Sequence, residues 1–156
     1  MANVTNIYKK TLLDSGATAG TANKYRCMLL TACYAFPLAG ASLDDDNVTA
    51  FLASTPNEAT VGGYARQTLA SGGTTGPDDT NDRAAMQFGK ATFTSLATGE
   101  TIVAAAIIWV STPGAPNDAN DYVAMAYDLT DTPTNGGNIE VRWNGTDGTG
   151  DALYLS

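Results

Sequence analysis

Stretches rich in glycine, proline, asparagine and aspartate cut the chain into apolar segments of strand length. Three of these stretches are residues 71–82, 111–120 and 131–138. The later apolar segments follow one another without any helical segment long enough to cross over a sheet, and this excludes parallel βαβ winding. Short strands separated by turn clusters predict a mainly β chain, either an antiparallel β-sandwich or a jelly-roll-like barrel.

Two segments should lie at the centre of this β body. Residues 24–34 and 102–110 are apolar at successive positions, which is typical of strands buried on both faces. Residues 139–143 alternate between apolar and charged side chains, and we expect them to form a terminal hairpin with residues 152–155. Further strands are expected at residues 64–69, 84–88, 91–96 and 122–129.

Two short helices are expected at the edge of the β body. The first falls within an N-terminal helical segment, residues 1–16, with Asn3 as its cap and Gly16 as its stop. The second would be capped by Ser42 or Asp44 and end before Pro56. The chain is thus expected to be a single domain, 1–156, with a β body over 24–156. The apolar faces of the two helices carry Val4, Ile7, Tyr8 and Leu12 in the first, and Val48, Phe51 and Leu52 in the second.

The charge balance disfavours two classes of partner. The chain of 156 residues has 16 acidic and 8 basic side chains, a formal net charge of −8, and its lysines and arginines do not cluster. Nucleic-acid binding needs a basic surface to replace counterions, and an anionic membrane attracts basic rather than acidic segments. The longest apolar run, 102–110, is far shorter than the roughly 20 residues of a spanning helix. We therefore expect a protein made in a cytoplasm, with neither nucleic acid nor a membrane as partner.

Both cysteines are expected to be unpaired core thiols. Cys27 and Cys33 fall in one predicted strand, where six residues at about 3.3 Å each separate them by roughly 20 Å. A disulfide needs Cα atoms within about 7 Å, so the two cannot bond to each other. With no histidine and no further cysteine to complete a site, a metal or redox role is disfavoured.

The lack of histidine also removes the commonest general base, so Ser-His-Asp and Cys-His triads are impossible. Pairs of aspartates occur, but they lie in polar turns rather than in an apolar cleft that would raise one pKa. The chain is therefore expected not to be an enzyme, and no cofactor or metal site is assigned. Residues 117–121 and 144–151 each offer oxygen ligands for calcium, and calcium binding there stays open as an alternative. Turn formation by the same asparagine and aspartate side chains explains both stretches as well. The aspartates in question are Asp44, Asp45 and Asp46, Asp78 and Asp79, Asp118 and Asp121, and Asp147 and Asp151.

Residues 24–34 read KYRCMLLTACY and follow a short N-terminal helical segment. This strand is similar to the K-x-M-L-L-T-x-x-Y strand of a family of small virion proteins of tailed bacteriophages, and the order of the segments resembles that of the family. An aspartate-rich stretch, 43–48, and a G-Y-x-x-x-x-x-L segment, 63–69, come next in the family's order, and 139–143 matches near the end. The chain departs from the family's glycine-rich G-T-G-Y-x-x-G-G pattern at residues 62–67.

The resemblance implies a structural component of a phage particle. The expected function is capsid decoration, in which a cement protein binds the outer surface of the assembled head and stabilises it. Its expected partners are the major capsid protein and further copies of itself, with a homotrimer favoured, and its place is the capsid surface of the virion. The expected capsid-contact residues are Val4, Ile7, Tyr8 and Leu12.

Two alternatives remain open at this point. One is a structural protein of the tail or of a head fibre. The other is a carbohydrate-binding module, in which Trp109 and Trp143 would form a stacking platform. Because both tryptophans lie on strand faces expected to be internal, core packing is the favoured interpretation.

Overall fold

Three antiparallel sheets and one helix make up the part of the chain that the structure describes. The structure is a computed structural model that describes residues 2–4, 24–32, 47–54, 57–69, 71–78, 83–142 and 150–155. The helix is α1, Val48–Ser54. The strands are β1 Ala2–Val4, β2 Tyr25–Ala32, β3 Asn57–Glu58, β4 Gln67–Thr68, β5 Ser71–Asp78, β6 Arg83–Phe88, β7 Ala91–Phe93, β8 Thr101–Trp109, β9 Tyr122–Pro133, β10 Ile139–Val141 and β11 Gly150–Leu155.

The largest sheet has six strands in the order β1-β9-β8-β2-β3, and β4 also pairs with β2. The other two sheets have the orders β10-β7 and β11-β6-β5. Neighbouring strands run antiparallel in all three, which confirms the expected mainly β, antiparallel fold. The described strands do not close into a barrel, and the sandwich and jelly-roll arrangements remain predictions. The large sheet ends in β1 and β3, which have three and two residues and offer little backbone for further pairing.

Two local expectations are corrected by the pairing. Residues 139–143 and 152–155 do not form a hairpin together, because β10 pairs with β7 and β11 pairs with β6. Residues 71–82 are one of the stretches predicted to be loops between strands, but β5 lies within them and pairs with β6. In both cases a neighbouring strand supplies hydrogen-bond partners for backbone N–H and C=O groups. The local sequence pattern does not show which strand that partner is.

Both faces of the large sheet are buried at its centre, as expected for residues 24–34 and 102–110. On one face, side chains of β2, β8 and β9 pack with those of the two smaller sheets. On the other face, side chains of the same three strands pack with α1. The first cluster includes Cys27, Leu29, Ala105, Ile107, Phe88, Phe93 and Val141. The second includes Met28, Leu30, Ala104, Ala106, Ile108, Val48 and Phe51.

Helix α1 begins one residue after Asn47, not after Ser42 or Asp44, which lie outside the described residues. The Asn47 Oδ1 accepts the N–H of Ala50 at 2.9 Å, the usual arrangement of an N-cap. The backbone N–H groups of Val48 and Thr49 donate to the carbonyls of Asp121 and Asp118, at 2.9 and 3.1 Å. These bonds fix the start of the helix against the loop that joins β8 and β9.

The N-terminal helix is not supported at its first residues. Val4 lies in β1, where it is the register partner of Met125, and Asn3 is the partner of Ala126 rather than a helix cap. The edge of β9 offers backbone N–H and C=O groups that can pair with an extended segment but not with a helix. This explains why residues 2–4 form a strand. Ile7, Tyr8 and Leu12 lie outside the described residues.

Cys27 is a buried free thiol, as expected. Desolvation by burial raises the pKa of its thiol well above the ordinary value, so the reactive thiolate is suppressed. Cys33 and Trp143 lie outside the described residues, so the expectations for both remain predictions.

Gly63 is the tightest point of the turn that leads from β3 towards β4. The N–H of Tyr64 donates to the carbonyl of Val61 at 3.0 Å, and Gly63 has a φ of +85°. A Cβ atom at Gly63 would lie 2.6 Å from the backbone oxygen of Ser95. Glycine is therefore required here by conformation and by space together.

We predict that Gly63→Ala lowers the free energy of unfolding by at least about 2 kcal/mol, through left-handed strain and the clash with the Ser95 carbonyl. Gly62→Ala is the matched control, because its Cβ would meet the Ala97 Cβ at an ordinary 3.5 Å. The control should change stability by less than about 1 kcal/mol. Urea unfolding of both variants measures the difference, and equal losses would contradict this account of the turn.

Candidate functional site

Polar side chains gather at the end of the large sheet where β8 passes into β9 through residues 110–121. Of the aspartates considered from the sequence, Asp118 and Asp121 lie in this loop with described side chains. Asp78 and Asp151 fall at strand positions of β5 and β11, and only their backbone is described. The remaining candidates, Asp44, Asp45, Asp46, Asp79 and Asp147, lie outside the described residues.

Asp121 closes this loop from the inside. Its side chain is fully buried, and one carboxylate oxygen accepts the backbone N–H and the hydroxyl of Ser111 at 2.9 and 3.0 Å. The other oxygen accepts the N–H of Asn117 at 2.7 Å. A buried carboxylate is tolerated when such donors replace water. Both carboxylate oxygens of Asp121, two of the ligands that the calcium alternative in residues 117–121 would use, thus already accept hydrogen bonds from protein donors.

Arg66 joins two carboxylates that are distant in sequence. Its guanidinium forms a bidentate pair with Glu58, through Nε at 2.7 Å and Nη2 at 2.6 Å. The same guanidinium binds Asp118, through Nη1 at 2.5 Å and Nη2 at 2.9 Å. The Arg66 side chain is only 15% exposed, so these charge-assisted bonds are partly shielded from solvent. Arg66 therefore ties β3 to the loop between β8 and β9.

Tyr64 extends this cluster into the sheet. Its hydroxyl donates to Glu58 at 2.6 Å and accepts the N–H of Leu29 in β2 at 3.2 Å. Burial, together with the Glu58 carboxylate, raises the pKa of Tyr64 far above its ordinary value, so it remains a neutral donor. Burial would lower the pKa of Arg66, but the hydrogen bonds with Glu58 and Asp118 outweigh it and raise the pKa.

Three further side chains complete this end of the sheet. Trp109 stacks on Tyr122, with ring centroids 5.5 Å apart, and the Nζ of Lys24 lies 4.0 Å from the Trp109 ring centroid. The same Nζ donates to the carbonyl of Ser111 at 3.0 Å. Trp109 is 8% exposed and belongs to the core cluster, which agrees with core packing rather than a stacking platform.

A second ion-pair group lies on the two-stranded sheet and is exposed. Glu140 of β10 pairs with Lys90 and with Arg142. Hydrogen bonds from Lys90 and then Arg142 lower the pKa of Glu140 to about 2. Because these side chains are solvated, we assign the group no role in holding the fold together.

Chemically, these contacts hold loops rather than activate a group. Arg66 donates four hydrogen bonds to the carboxylates of Glu58 and Asp118. Asp121 accepts three hydrogen bonds from the loop that it closes. Among the residues whose side chains are described, no group of three or more acidic or cysteine side chains could hold a metal ion. Sequence reasoning did not single out Glu58, Tyr64, Arg66 or Lys24, since no local motif links them to their distant partners Leu29, Asp118 and Ser111.

Comparisons with known proteins do not assign the chain to a family. A scan against protein-family models, a search of curated proteins and a search of solved structures each found no match. Within the described residues, no helix is long and apolar enough to cross a membrane.

We predict that Arg66→Met lowers the free energy of unfolding by about 2–4 kcal/mol, because two partly buried carboxylates lose their counter-charge. Arg142→Met is the matched control: it removes an equally short pair from a side chain that is 52% exposed, and it should leave the unfolding midpoint nearly unchanged. Urea unfolding at neutral pH measures both. A smaller loss for Arg66→Met than for the control would contradict the assigned role.

Proposed function

We propose that this protein is a capsid decoration protein, which binds the outer surface of an assembled phage head and stabilises it. The observation that carries the proposal is that Arg66 and Asp121 are engaged by other groups of the fold. Their bonds fix the loop between β8 and β9 relative to the sheet. This is the chemistry of a rigid binding body and not of a reactive centre.

The layered burial of the large sheet also supports this proposal. We propose that the large sheet and the two smaller sheets form a β-sandwich, with α1 on the outer face of the large sheet. A cement protein must resist the same heat and pressure as the shell that it stabilises, and a body with buried layers suits this. A formal charge of −8 would keep free copies soluble and apart before they bind.

The order of segments that resembles the phage virion family is the second line of support. Within this proposal the partners are the major capsid protein and further copies of the chain, with a trimer favoured. Ile7, Tyr8 and Leu12, which follow β1 in the sequence, are proposed to face the capsid together with Val4. Placement in the tail or in a head fibre is a competing outcome of the test below.

Purified virions of the phage that encodes this chain provide the test. We expect the protein in the particle in a copy number proportional to the major capsid protein, measured by quantitative mass spectrometry. Gold-labelled antibody should mark heads and not tails in negative-stain images. Heads that lack the protein should release DNA at a lower temperature, and adding the purified protein back should restore the wild-type temperature.

The matched control for the add-back is Arg66→Met, which alters the body without touching the N-terminal segment. At a temperature where this variant stays folded it should still bind heads, whereas a variant that lacks residues 2–13 should not. Absence of the protein from purified virions would overturn the proposal. Label confined to tails would replace decoration by a tail role.

A further inference from the structure

Among the described residues, another strand covers the outer edge of β9 at one short place. β9 runs from Tyr122 to Pro133 and pairs with β8 along its inner side. On its outer side, β1 pairs with Met125, Ala126 and Tyr127. Residues 125–127 are therefore the part of this edge that pairs with a strand, and we call them the acceptor run.

The rest of β9 towards its end is guarded against pairing. Ile102 is opposite Thr132 and Ala104 is opposite Asp128, so three residues of β9 bulge against one of β8. Bulges, charges and proline are features that keep an edge strand from pairing with another chain. Asp128, Asp131 and Pro133 are all exposed in this stretch. A new strand would thus be directed to the acceptor run.

The strand that occupies the acceptor run is held weakly. Ordering the backbone of a residue costs about 1–2 kcal/mol, and each net hydrogen bond returns only about 0.5–1.5 kcal/mol. For the three residues of β1, these terms nearly cancel. The pairing of β1 should therefore open and re-form without unfolding the body.

The connection between β1 and β2 is long enough for β1 to reach another molecule. β9 and β8 separate β1 from β2 in the sheet, a distance of about 14 Å at the usual strand spacing. The twenty residues 5–24 join the two strands, and a chain of that length can span up to about 70 Å. The tether thus permits pairing within one copy and pairing with the β9 of a neighbour equally well.

We propose that β1 is exchanged between copies, so that residues 2–4 of one molecule occupy the acceptor run of a second. The contact formed is the same in both arrangements, so concentration decides between them. A tethered strand has an effective concentration of roughly 1 mM at its own acceptor run. Dilute protein keeps its own strand, and copies crowded above that concentration exchange strands.

On a phage head this exchange would link neighbouring copies, a role that rests on the proposed function. The exchange itself needs only the purified protein, so its test is independent of any capsid. Failure of the exchange would leave decoration possible, and absence from virions would leave the exchange standing as a property of the chain.

Isotope mixing with paired cysteines tests the exchange. Ala2 and Tyr127 are register partners, so Ala2→Cys/Tyr127→Cys places two thiols across the strand pair. Unlabelled and ¹⁵N-labelled protein are mixed at about 10 µM and at about 1 mM, left to equilibrate, and oxidised. Mass spectrometry of the disulfide-linked peptides then shows whether residues 2 and 127 come from one molecule or two.

We expect the fraction of linked peptides with one light and one heavy half to rise at least tenfold between about 10 µM and about 1 mM. Ala2→Cys/Thr132→Cys is the matched control, since Thr132 lies outside the register of β1, and it should form little linkage at either concentration. The pair Asn3→Cys/Ala126→Cys repeats the test at a neighbouring register position. A mixed fraction that stays at background in both register pairs would overturn the proposal, as would a failure of both pairs to link at all.

Discussion

The burial of one central strand on both faces is the constraint on which this fold depends. Every side chain of β8 from Ala104 to Trp109 is buried, and Val110 continues the run. A strand of this kind needs a hydrogen-bonded neighbour on each side and an apolar layer over each face. β2 and β9 supply the neighbours, side chains of β6, β7 and β10 pack on one face, and side chains of α1 pack on the other.

Polar groups at one end of the large sheet hold the β8–β9 loop, α1 and β3 together. Asp121 closes the loop between β8 and β9, and the backbone carbonyls of that loop receive the first N–H groups of α1. Arg66 then binds the same loop to β3 through Asp118 and Glu58. The loop thus connects α1 with β3, which suits a protein whose proposed task is to remain rigid on a shell.

Local sequence pattern predicts β2, β6, β7, β8, β9 and β10 where they occur, but it misses β1, β3 and β5 and does not give the pairing of the outer strands. β2, β8 and β9 are long apolar segments, so the burial of their side chains is enough to predict that they form strands. β5 was expected to be a loop because its glycines and threonines carry no apolar signal, and its pairing with β6 is a contact between segments. The same limit applies to β1. The helical spacing that includes Val4 predicts a helix, but residues 2–4 pair with the edge of β9 instead. Nor does any local motif join Arg66 to Asp118, which lies 52 residues away.

Native-state hydrogen exchange followed residue by residue tests the central claim most directly. If the doubly buried sheet is the last part to open, the amides of Ala105, Ala106 and Ile107 in β8 and of Met28 and Leu29 in β2 should exchange only through global unfolding. Amides of β7 and β10, in the two-stranded sheet, should exchange earlier through local opening. Exchange of the β8 amides before those of β10 would contradict the account.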